Sequence, residues 1–180
     1  LLEASLSGQP GKGFNMKFPL RIVYLILLMA QVSGAVGQVS SGNWTSLVGL
    51  NSAGVQAETG TGGIGSTLSA DARYAAFSST STNLVDGDTN GYYDVFVRDM
   101  ASGITSRVSV DSLGNEGINE SRNVLISDDG RYVTFESAAT NLVANDTNGR
   151  RDVFVHDRDT GSTRRVSVDS AGNQANGDSY

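Results

Sequence analysis

Short runs in which apolar and polar residues alternate fill the chain from about residue 44 onward. Clusters of Gly, Asp, Asn and Ser separate them. Four runs recur in each of two segments. They lie at 65–69, 73–79, 94–99 and 105–111, and again at about 123–127, 131–137, 152–157 and 163–169. Alternation with a period of two predicts strands, and no stretch has the 3.6-residue period of a helix. The pattern therefore predicts an all-β protein.

The third and fourth runs of each segment differ in how their apolar residues are placed. Val95 and Val97 point to one face of the third run and Phe96 to the other, and residues 153–155 repeat this arrangement. A strand that is apolar on both faces is expected to be covered on both. The fourth run alternates cleanly over 107–110, which predicts a half-exposed strand towards an outer edge.

The chain contains an internal repeat of 58 residues. Residues 83–115 return as 141–173 without a gap, and 22 of the 33 paired positions are identical. A partial third copy precedes them, because 46–54 match 106–114 at an offset of 60. A fixed period of this size is typical of repeat architectures. We predict one repeat domain over 38–180, made of a partial repeat (44–60) and two repeats (64–121 and 122–180).

The repeat resembles that of TolB-like β-propellers. The resemblance is carried by the Ser-Asp-Asp-Gly turn at 127–130, the strand that follows it, and the acid-flanked strand 152–157, and it extends over about 44–180. It implies four-stranded antiparallel blades packed face to face around a channel. This chain would supply about two blades plus one extra strand. One departure is Ala72, which stands where the turn glycine belongs and costs on the order of 1 kcal/mol if the backbone needs a positive φ.

A closed propeller needs more blades than residues 38–180 can supply. Typical propellers have at least about four blades, and each blade here takes 58 residues. Two readings are open: the chain is a fragment of a longer product, or several chains self-assemble into a ring.

Residues 16–37 have the layout of a secretory signal peptide. Lys17 and Arg21 precede an apolar run, and small residues follow it at 33–37. A membrane anchor is the alternative, but the run is shorter than the roughly 20 residues of a membrane span. Residues 1–15 precede the first Met and are predicted to be a non-native upstream segment. We expect export to the periplasm, cell surface or medium, without stable membrane insertion after cleavage.

The composition of the remaining chain limits its partners. Residues 1–37 carry three of the thirteen basic residues and one of the nineteen acids, which leaves 38–180 with a formal charge of −8. A strongly acidic surface argues against nucleic acid and anionic membranes, whose affinity comes from basic charge. The chain has no Cys, which excludes disulfides and thiolate metal sites.

The loop at 86–94 is the best candidate for a metal site. Its sequence, DGDTNGYYD, places oxygen ligands at alternating positions around a glycine bend, as Ca²⁺ requires. The second copy, ANDTNGRRD, begins with Ala144 and so lacks the first acid. The candidate ligands are Asp86, Asp88, Asn90 and Asp94 in the first loop, and Asp146, Asn148 and Asp152 in the second. The same residues also suit tight turns, in which Asp caps backbone N–H groups and Asn or Gly takes positive φ.

No catalytic residue is predicted. His156 is the only histidine and occupies the position of Arg98, which suggests an exposed or rim residue. Nucleophile-elbow, zinc-protease and phosphate-loop motifs are absent. We therefore predict a non-catalytic propeller. The resemblance to TolB-like propellers implies that this exported chain acts as an interaction or scaffolding surface for protein partners at the cell envelope. Apart from Ca²⁺, no cofactor is predicted. The alternative is an accessory propeller region of a longer exported hydrolase of the peptidase kind.

Overall fold

The computed structural model describes residues 38–41, 44–58 and 61–180. The predicted signal peptide at 16–37 and the upstream segment 1–15 lie outside the described residues. The described part consists of ten strands joined by turns and loops. They are β1 (Gln38–Ser41), β2 (Trp44–Leu47), β3 (Thr61–Leu68), β4 (Tyr74–Ser79), β5 (Asp94–Asp99), β6 (Thr105–Arg107), β7 (Ser121–Ile126), β8 (Tyr132–Ser137), β9 (Asp152–Asp157) and β10 (Ser162–Arg165).

Strands that follow one another in sequence pair with one another in space. β1 and β2 form a hairpin, β3-β4-β5-β6 form the first sheet, and β7-β8-β9-β10 form the second sheet, all antiparallel. The predicted all-β class and its four-stranded antiparallel sheets are confirmed. The predicted extra strand corresponds to β2, and the structure adds β1 before it.

The fourth strand of the first sheet is shorter and more buried than its alternation predicts. β6 ends at Arg107, and the following residues Val108, Ser109 and Val110 are all buried. Val110 instead forms an isolated bridge with Glu116, while Ser109 donates its hydroxyl hydrogen to Asp94. The prediction of a half-exposed strand over 105–111 is therefore wrong here. After Arg107 the chain still bonds to β5, because the Val108 N–H donates to the Val95 carbonyl, and Val108 is buried in the core between the sheets.

The main hydrophobic core lies between the two sheets. The first sheet contributes the residues that we call its front face, namely Ala76, Val95, Val97 and Val108. The second sheet contributes its opposite face, which we call its back face: Val124, Val133, Phe135 and Phe154, together with Ala139 and Leu142 from the adjoining loop. Burial of these apolar surfaces, at roughly 25 cal/mol per Å², holds the sheets together.

The first sheet is covered on both sides. On its back face Phe96 stacks on Phe77 with ring centroids 5.8 Å apart, and Leu84 joins them in a second cluster. The predicted burial of 95–97 on both faces is confirmed, since each of the three side chains is fully buried. Their counterparts in the second sheet are not alike, because Phe154 is buried whereas Val153 and Val155 are only half-buried.

The turn before β4 has positive φ although its residue is alanine. Ala72 has φ 58°, and its counterpart Gly130 before β8 has φ 75°. Only glycine takes this conformation without steric cost. Gly130 meets a second constraint, because a Cβ there would lie 2.0 Å from the ring of Tyr74 in the first sheet. That ring also has the Arg158 guanidinium 4.3 Å from its centroid.

We expect Phe96→Ala to reduce the free energy of unfolding by about 3–5 kcal/mol, because it empties a fully buried, stacked position. Urea denaturation measures the loss. Leu113→Ala is the control, since this side chain is 88% exposed and its truncation should change stability by less than about 0.5 kcal/mol. A near-neutral Phe96→Ala would contradict its place in the core.

Substitutions in the two turns are predicted to change the stability of the protein in opposite directions. Ala72→Gly should stabilise the protein by about 1 kcal/mol or slightly less, because it relieves the positive φ but adds unfolded-state entropy. Gly130→Ala should destabilise it by more than about 1 kcal/mol, since it adds the same strain and a contact with Tyr74. Thermal unfolding of both variants tests this. Shifts of the same size and opposite sign would mean that the contact with Tyr74 adds nothing to the cost at position 130.

Candidate functional site

Three carboxylates from separate parts of the first sheet converge beside the loop at 86–94. One oxygen from each of Asp88, Asp94 and Glu116 lies within 4.8 Å of the others. Asp88 comes from the loop, Asp94 begins β5, and Glu116 follows the turn after β6. The antiparallel order brings these three places together at one end of the sheet.

An arginine lies among the carboxylates. Arg107 Nη1 is 2.5 Å from Glu116 Oε1, 3.7 Å from Asp94 Oδ2 and 3.8 Å from Asp88 Oδ1. Its Nη2 donates to the carbonyl oxygen of Gly87 at 3.1 Å. The guanidinium therefore supplies positive charge at the place where a bound cation would otherwise do so. We call these four side chains the acid–arginine cluster.

The structure separates the four predicted ligands of the first loop. Asp88 and Asp94 belong to the cluster, whereas Asp86 is exposed. Asn90 turns its amide nitrogen inward, donating to Asp94 Oδ2 at 3.0 Å and to the Gly117 carbonyl at 2.8 Å. Its Oδ1 accepts the N–H of Tyr92 at 2.6 Å. Asn90 thus holds the loop in shape and orients Asp94.

Glu116 was missed by the sequence analysis. It lies 22 residues beyond Asp94, outside the loop motif. The pairing of β5 with β6 and the bridge between Val110 and Glu116 bring it close. Its Oε1 accepts the backbone N–H of Thr89 and its Oε2 accepts the Thr89 hydroxyl. A weak signal was available, because the three repeat copies have Gln56, Glu116 and Gln174 at this position.

Burial sets the protonation behaviour of the cluster. It raises the pKa of Asp94 from 3.8 to about 6, against the opposing effects of the Ser109 hydroxyl and Arg107. It also raises the pKa of Asp88. Burial acts in the same direction on Glu116, but the hydrogen bonds from Thr89 and the charge of Arg107 outweigh it and lower the pKa of this carboxyl.

Within the acid–arginine cluster, Asp88 is the residue whose hydrogen-bonding groups are least satisfied. Its side chain is 2% exposed, yet neither carboxylate oxygen has a hydrogen-bond partner. The Arg107 nitrogen at 3.8 Å is too far for a hydrogen bond. A buried carboxylate without such a bond is costly and needs an explanation, of which a bound ion or water is one.

The second sheet repeats the cluster with one acid fewer. Arg165 Nη1 lies 3.3 Å from Asp146 Oδ1, 3.5 Å from Asp152 Oδ2 and 2.8 Å from Gln174 Oε1. Asn148 donates to Asp152 Oδ2 and to the Ala175 carbonyl, as Asn90 does in the first sheet. The neutral Gln174 replaces Glu116, so the second cluster has one negative charge fewer.

His156 is not the exposed residue that its alignment with Arg98 suggests. It is 6% exposed, and its Nδ1 lies 2.9 Å from the Thr163 hydroxyl oxygen. Burial lowers the pKa of His156. The alternation of β9 puts it on the same face as Phe154, where the preceding sheet covers it. The structure therefore assigns His156 to the junction between the sheets.

The front face of the second sheet is open. Val166 is 47% exposed, whereas its counterpart Val108 is 2% exposed. Leu125 is also exposed, and Val153 and Val155 are half-buried. The same positions of the first sheet are covered by the back face of the second. The front face of the first sheet therefore packs against the back face of the second, which follows it in the sequence.

Each sheet is a β-propeller blade. Four antiparallel strands in sequential order, stacked front to back on the next such unit, define that architecture. We therefore refer to β3–β6 as the first blade and to β7–β10 as the second. In the described part of the chain, no helix is long and apolar enough to cross a membrane.

No protein-family model matches the chain, and no curated protein does. Among solved structures, it is similar to TolB from Acinetobacter baumannii, with a TM-score of 0.42 and 15% identity over 71% of this chain and 25% of that one. A protein described as a candidate TolB from Agrobacterium tumefaciens has a TM-score of 0.39 and 20% identity over 60% of this chain and 32% of that one. The tricorn protease has a TM-score of 0.39 and 15% identity over 63% of this chain and 10% of its own. The chain therefore spans a third or less of each.

The raised pKa of Asp94 predicts a pH-dependent stability. Because its folded pKa is about 6 and its ordinary value 3.8, the folded state holds this proton more tightly. Its contribution to stability is full below about pH 3.8 and is lost as the pH rises through about 6. Asp94→Asn removes this titration. The free energy of unfolding of the variant, minus that of the unmodified chain, should therefore rise between pH 4 and pH 6.5.

Urea denaturation across this range measures the difference. Asp99→Asn is the control, because the hydrogen bonds from Arg73 lower the pKa of Asp99. Its contribution is present above the unfolded pKa and is lost only as the pH falls further, so this variant should give a flat difference above about pH 4.5. A flat difference for Asp94→Asn would contradict the raised pKa.

The two clusters also predict unequal losses on removal of their arginines. Arg107→Met leaves three carboxylates without a central cation, whereas Arg165→Met leaves two, at equal side-chain exposure of 9%. Unpairing a buried charge typically costs about 3–5 kcal/mol. We expect Arg107→Met to cost about 1 kcal/mol more than Arg165→Met in urea denaturation at pH 7.5. Equal losses of stability would mean that Arg107 does not stabilise Glu116, the acid that the second cluster lacks.

Proposed function

We propose that this chain is an exported, non-catalytic β-propeller module that binds protein partners through the open front face of its second blade. The observation that carries the proposal is the contrast between equivalent residues of the two blades. Val108 is buried under a neighbouring blade, and Val166, one repeat later, is 47% exposed. An apolar sheet face of this kind is typical of an interaction surface.

The chemistry of this face suits a protein partner. Leu125 and Val166 provide exposed apolar surface, with the half-buried Val153 and Val155 between them. Arg164 is exposed on the same face by the strand register, whereas Glu136 on that face is buried and accepts a hydrogen bond from Asn123. An apolar centre with a polar surround is the usual composition of a protein interface. The net negative charge of the chain favours protein over nucleic acid.

The side chains best suited to catalysis already have structural roles. His156 is buried at the junction between blades and lies against Thr163. Asp94 accepts hydrogen bonds from Ser109 and Asn90, and Asp152 accepts them from Ser167 and Asn148. These engagements favour a binding role over a hydrolytic one.

A site-specific photo-crosslinker tests the proposed surface. Placed at position 166 in the full chain and exposed to an envelope extract, it should capture a defined protein; at position 113, on an exposed turn, it should not. Excess unlabelled chain should compete for the capture, and excess Val166→Asp chain should compete at least tenfold less well. Equal capture at the two positions, or equal competition by the two chains, would refute the proposal.

We further propose that calcium stabilises the first blade through Asp88, Asp94 and Glu116. The specific support is the buried Asp88 carboxylate, which has no hydrogen-bond partner and lies beside two other acids. Hard divalent cations prefer such oxygen ligands. Arg107 competes for the same oxygens, so calcium binding would require its guanidinium to move aside. Asp86 and Asn90, and the second-loop residues Asp146, Asn148 and Asp152, remain predicted ligands.

Thermal unfolding in excess EDTA and in millimolar Ca²⁺ tests this proposal. A ligand that binds only the folded state raises the free energy of unfolding by mass action, by about 2.7 kcal/mol at a hundredfold excess over Kd, and the thermal midpoint rises with it. We expect Ca²⁺ to raise the midpoint of the unmodified chain, Asp88→Asn to abolish the rise, and Asp146→Asn to leave most of it. An unchanged melt would mean that these aspartates serve the turns alone.

A further inference from the structure

A threonine and a glutamine of the second blade are in close contact where the loop at 144–152 meets the turn after β10. Gln174 Nε2 donates to the Thr147 hydroxyl oxygen at 2.7 Å, and Gln174 Oε1 accepts the Thr147 N–H at 3.2 Å. The two residues are 27 positions apart in the sequence. The carboxamide of Gln174 is therefore held against the hydroxyl of Thr147 by two hydrogen bonds.

The carbonyl oxygen of this carboxamide lies between two hydrogen-bond donors. Arg165 Nη1 donates to Gln174 Oε1 at 2.8 Å, in addition to the Thr147 N–H. The Arg165 side chain is only 9% exposed, so water screens its charge less than it would at the surface. Donors at such distances stabilise the negative charge that develops on a carbonyl oxygen when a nucleophile attacks its carbon. Gln174 is thus polarised as an electrophile.

The Thr147 hydroxyl has the chemistry of a nucleophile. Since Gln174 Nε2 is the donor in their contact, the hydroxyl keeps its own hydrogen for another acceptor. The preceding residue, Asp146, has a buried carboxylate oxygen, Oδ1, without a hydrogen-bond partner. This oxygen lies 3.3 Å from Arg165 Nη1, the same atom that contacts the carboxamide. A hydroxyl, a polarised amide and a carboxylate oxygen therefore surround one guanidinium.

The first blade has the same contacts but a different group at the position of the glutamine. The Thr89 N–H and hydroxyl donate to Glu116 Oε1 and Oε2 at 3.1 and 2.8 Å, and Arg107 Nη1 lies 2.5 Å from Oε1. Glu116 is a carboxylate, whose negative charge repels a nucleophile and which has no amine to lose. The two blades thus share one geometry, with an inert acid at position 116 and an amide at position 174.

We propose that Thr147 and Gln174 form an intramolecular ester bond. Thr147 Oγ1 attacks Gln174 Cδ, and Arg165 and the Thr147 N–H stabilise the negative charge that develops on Oε1. The hydroxyl proton passes through the Asp146 carboxylate to Nε2, the C–N bond breaks, and Nε2 leaves as ammonia. One C–O bond replaces one C–N bond, and no oxidant, reductant or cofactor is consumed. The carboxamide has only to rotate until Cδ replaces Nε2 in front of the hydroxyl oxygen.

Confinement supplies the rate that an ordinary hydroxyl lacks. Reacting groups held in the right orientation behave as if present at effective concentrations of about 10⁵ M or more. Loss of ammonia makes the step practically irreversible in dilute solution. The product links the loop at 144–152 covalently to the turn after β10. Such a link stabilises the second blade by restricting its unfolded chain, as a disulfide does, in a chain that has no cysteine. This inference is independent of the proposed binding surface.

The intact mass of the purified full chain is the first test. We expect a mass about 17 Da below that calculated from the sequence, which corresponds to the loss of one ammonia. Cleavage after each arginine by trypsin should then give peptides 132–150 and 166–180 as a single linked species. Other losses of ammonia, such as a succinimide at an Asn-Gly pair, join no peptides. Two separate peptides of unmodified mass would overturn the proposal.

Mild alkaline hydrolysis identifies the bond. It cleaves an ester and leaves peptide bonds intact, so it should release both peptides with Glu in place of Gln174, about 1 Da heavier than the encoded residue. Fragmentation of the 166–180 peptide locates this change. A linked species that resists base would contradict an ester. The same change at Gln174 before treatment, without a linked species, would mean that water had attacked the carboxamide, and would overturn the proposal.

Matched variants test the assigned groups. Thr147→Val and Gln174→Glu each remove one reacting group, so both should give the calculated mass and separate peptides. Gln174→Glu also reproduces the side chain that the first blade accommodates, which guards against loss of the fold. Both variants should have a lower unfolding midpoint than the unmodified chain. A linked species in either variant would refute the assignment of Thr147 and Gln174.

The first blade offers a test by gain of the bond. Glu116→Gln places an amide beside Thr89 and Arg107, in the geometry of the second blade. We expect this variant to form a second link, with a mass about 34 Da below that calculated for it. A single link in this variant would mean that the groups shared by the two clusters do not suffice for the reaction, and would overturn the mechanism.

Discussion

A four-stranded sheet with apolar residues on both faces cannot bury them by itself, and the structure depends on this constraint. The first blade satisfies it because the second blade covers its front and a second cluster around Phe77 and Phe96 forms on its back. Stability in such an array is a sum of the stability within each repeat and the contact between neighbours. On the front face of the second blade, Val166 is 47% exposed, whereas its counterpart Val108 in the first blade is covered.

The polar clusters have a different role from the apolar core: they hold the long loops at the end of each blade. Arg107 and Arg165 each gather carboxylate or amide oxygens from the loop, from the third strand and from the following turn. A guanidinium suits this task because its fixed N–H groups can bond several acceptors at once. The change from Glu116 to Gln174 varies the charge while the geometry is kept. The first cluster is therefore the more attractive of the two to an added cation.

Much of the fold could be predicted from the sequence, because period-two alternation and an ungapped repeat can both be read directly along the chain. The strands β4, β5, β8 and β9 and the full burial of Phe96 belong to this category. The site was harder to predict. Asp88 and Asp94 fall in one loop motif. Glu116 and Arg107 come close to them only through strand pairing, which cannot be read from the sequence. His156 was misjudged because alternation defines a face of the strand and says nothing about which neighbour covers it.

The contact between the two blades joins unlike surfaces, since the front of one meets the back of the next. Such a heterologous contact has no internal two-fold symmetry, and it ends only if the rotation between neighbours brings the last unit back to the first. The number of blades in such a stack is therefore limited by the angle between neighbouring blades and not by the strength of the contact between them. The Tyr74 ring is packed between Gly130 and Arg158 across the junction, and its size contributes to this angle. It therefore bears on whether a stack of such blades closes into a ring or continues as an open helix.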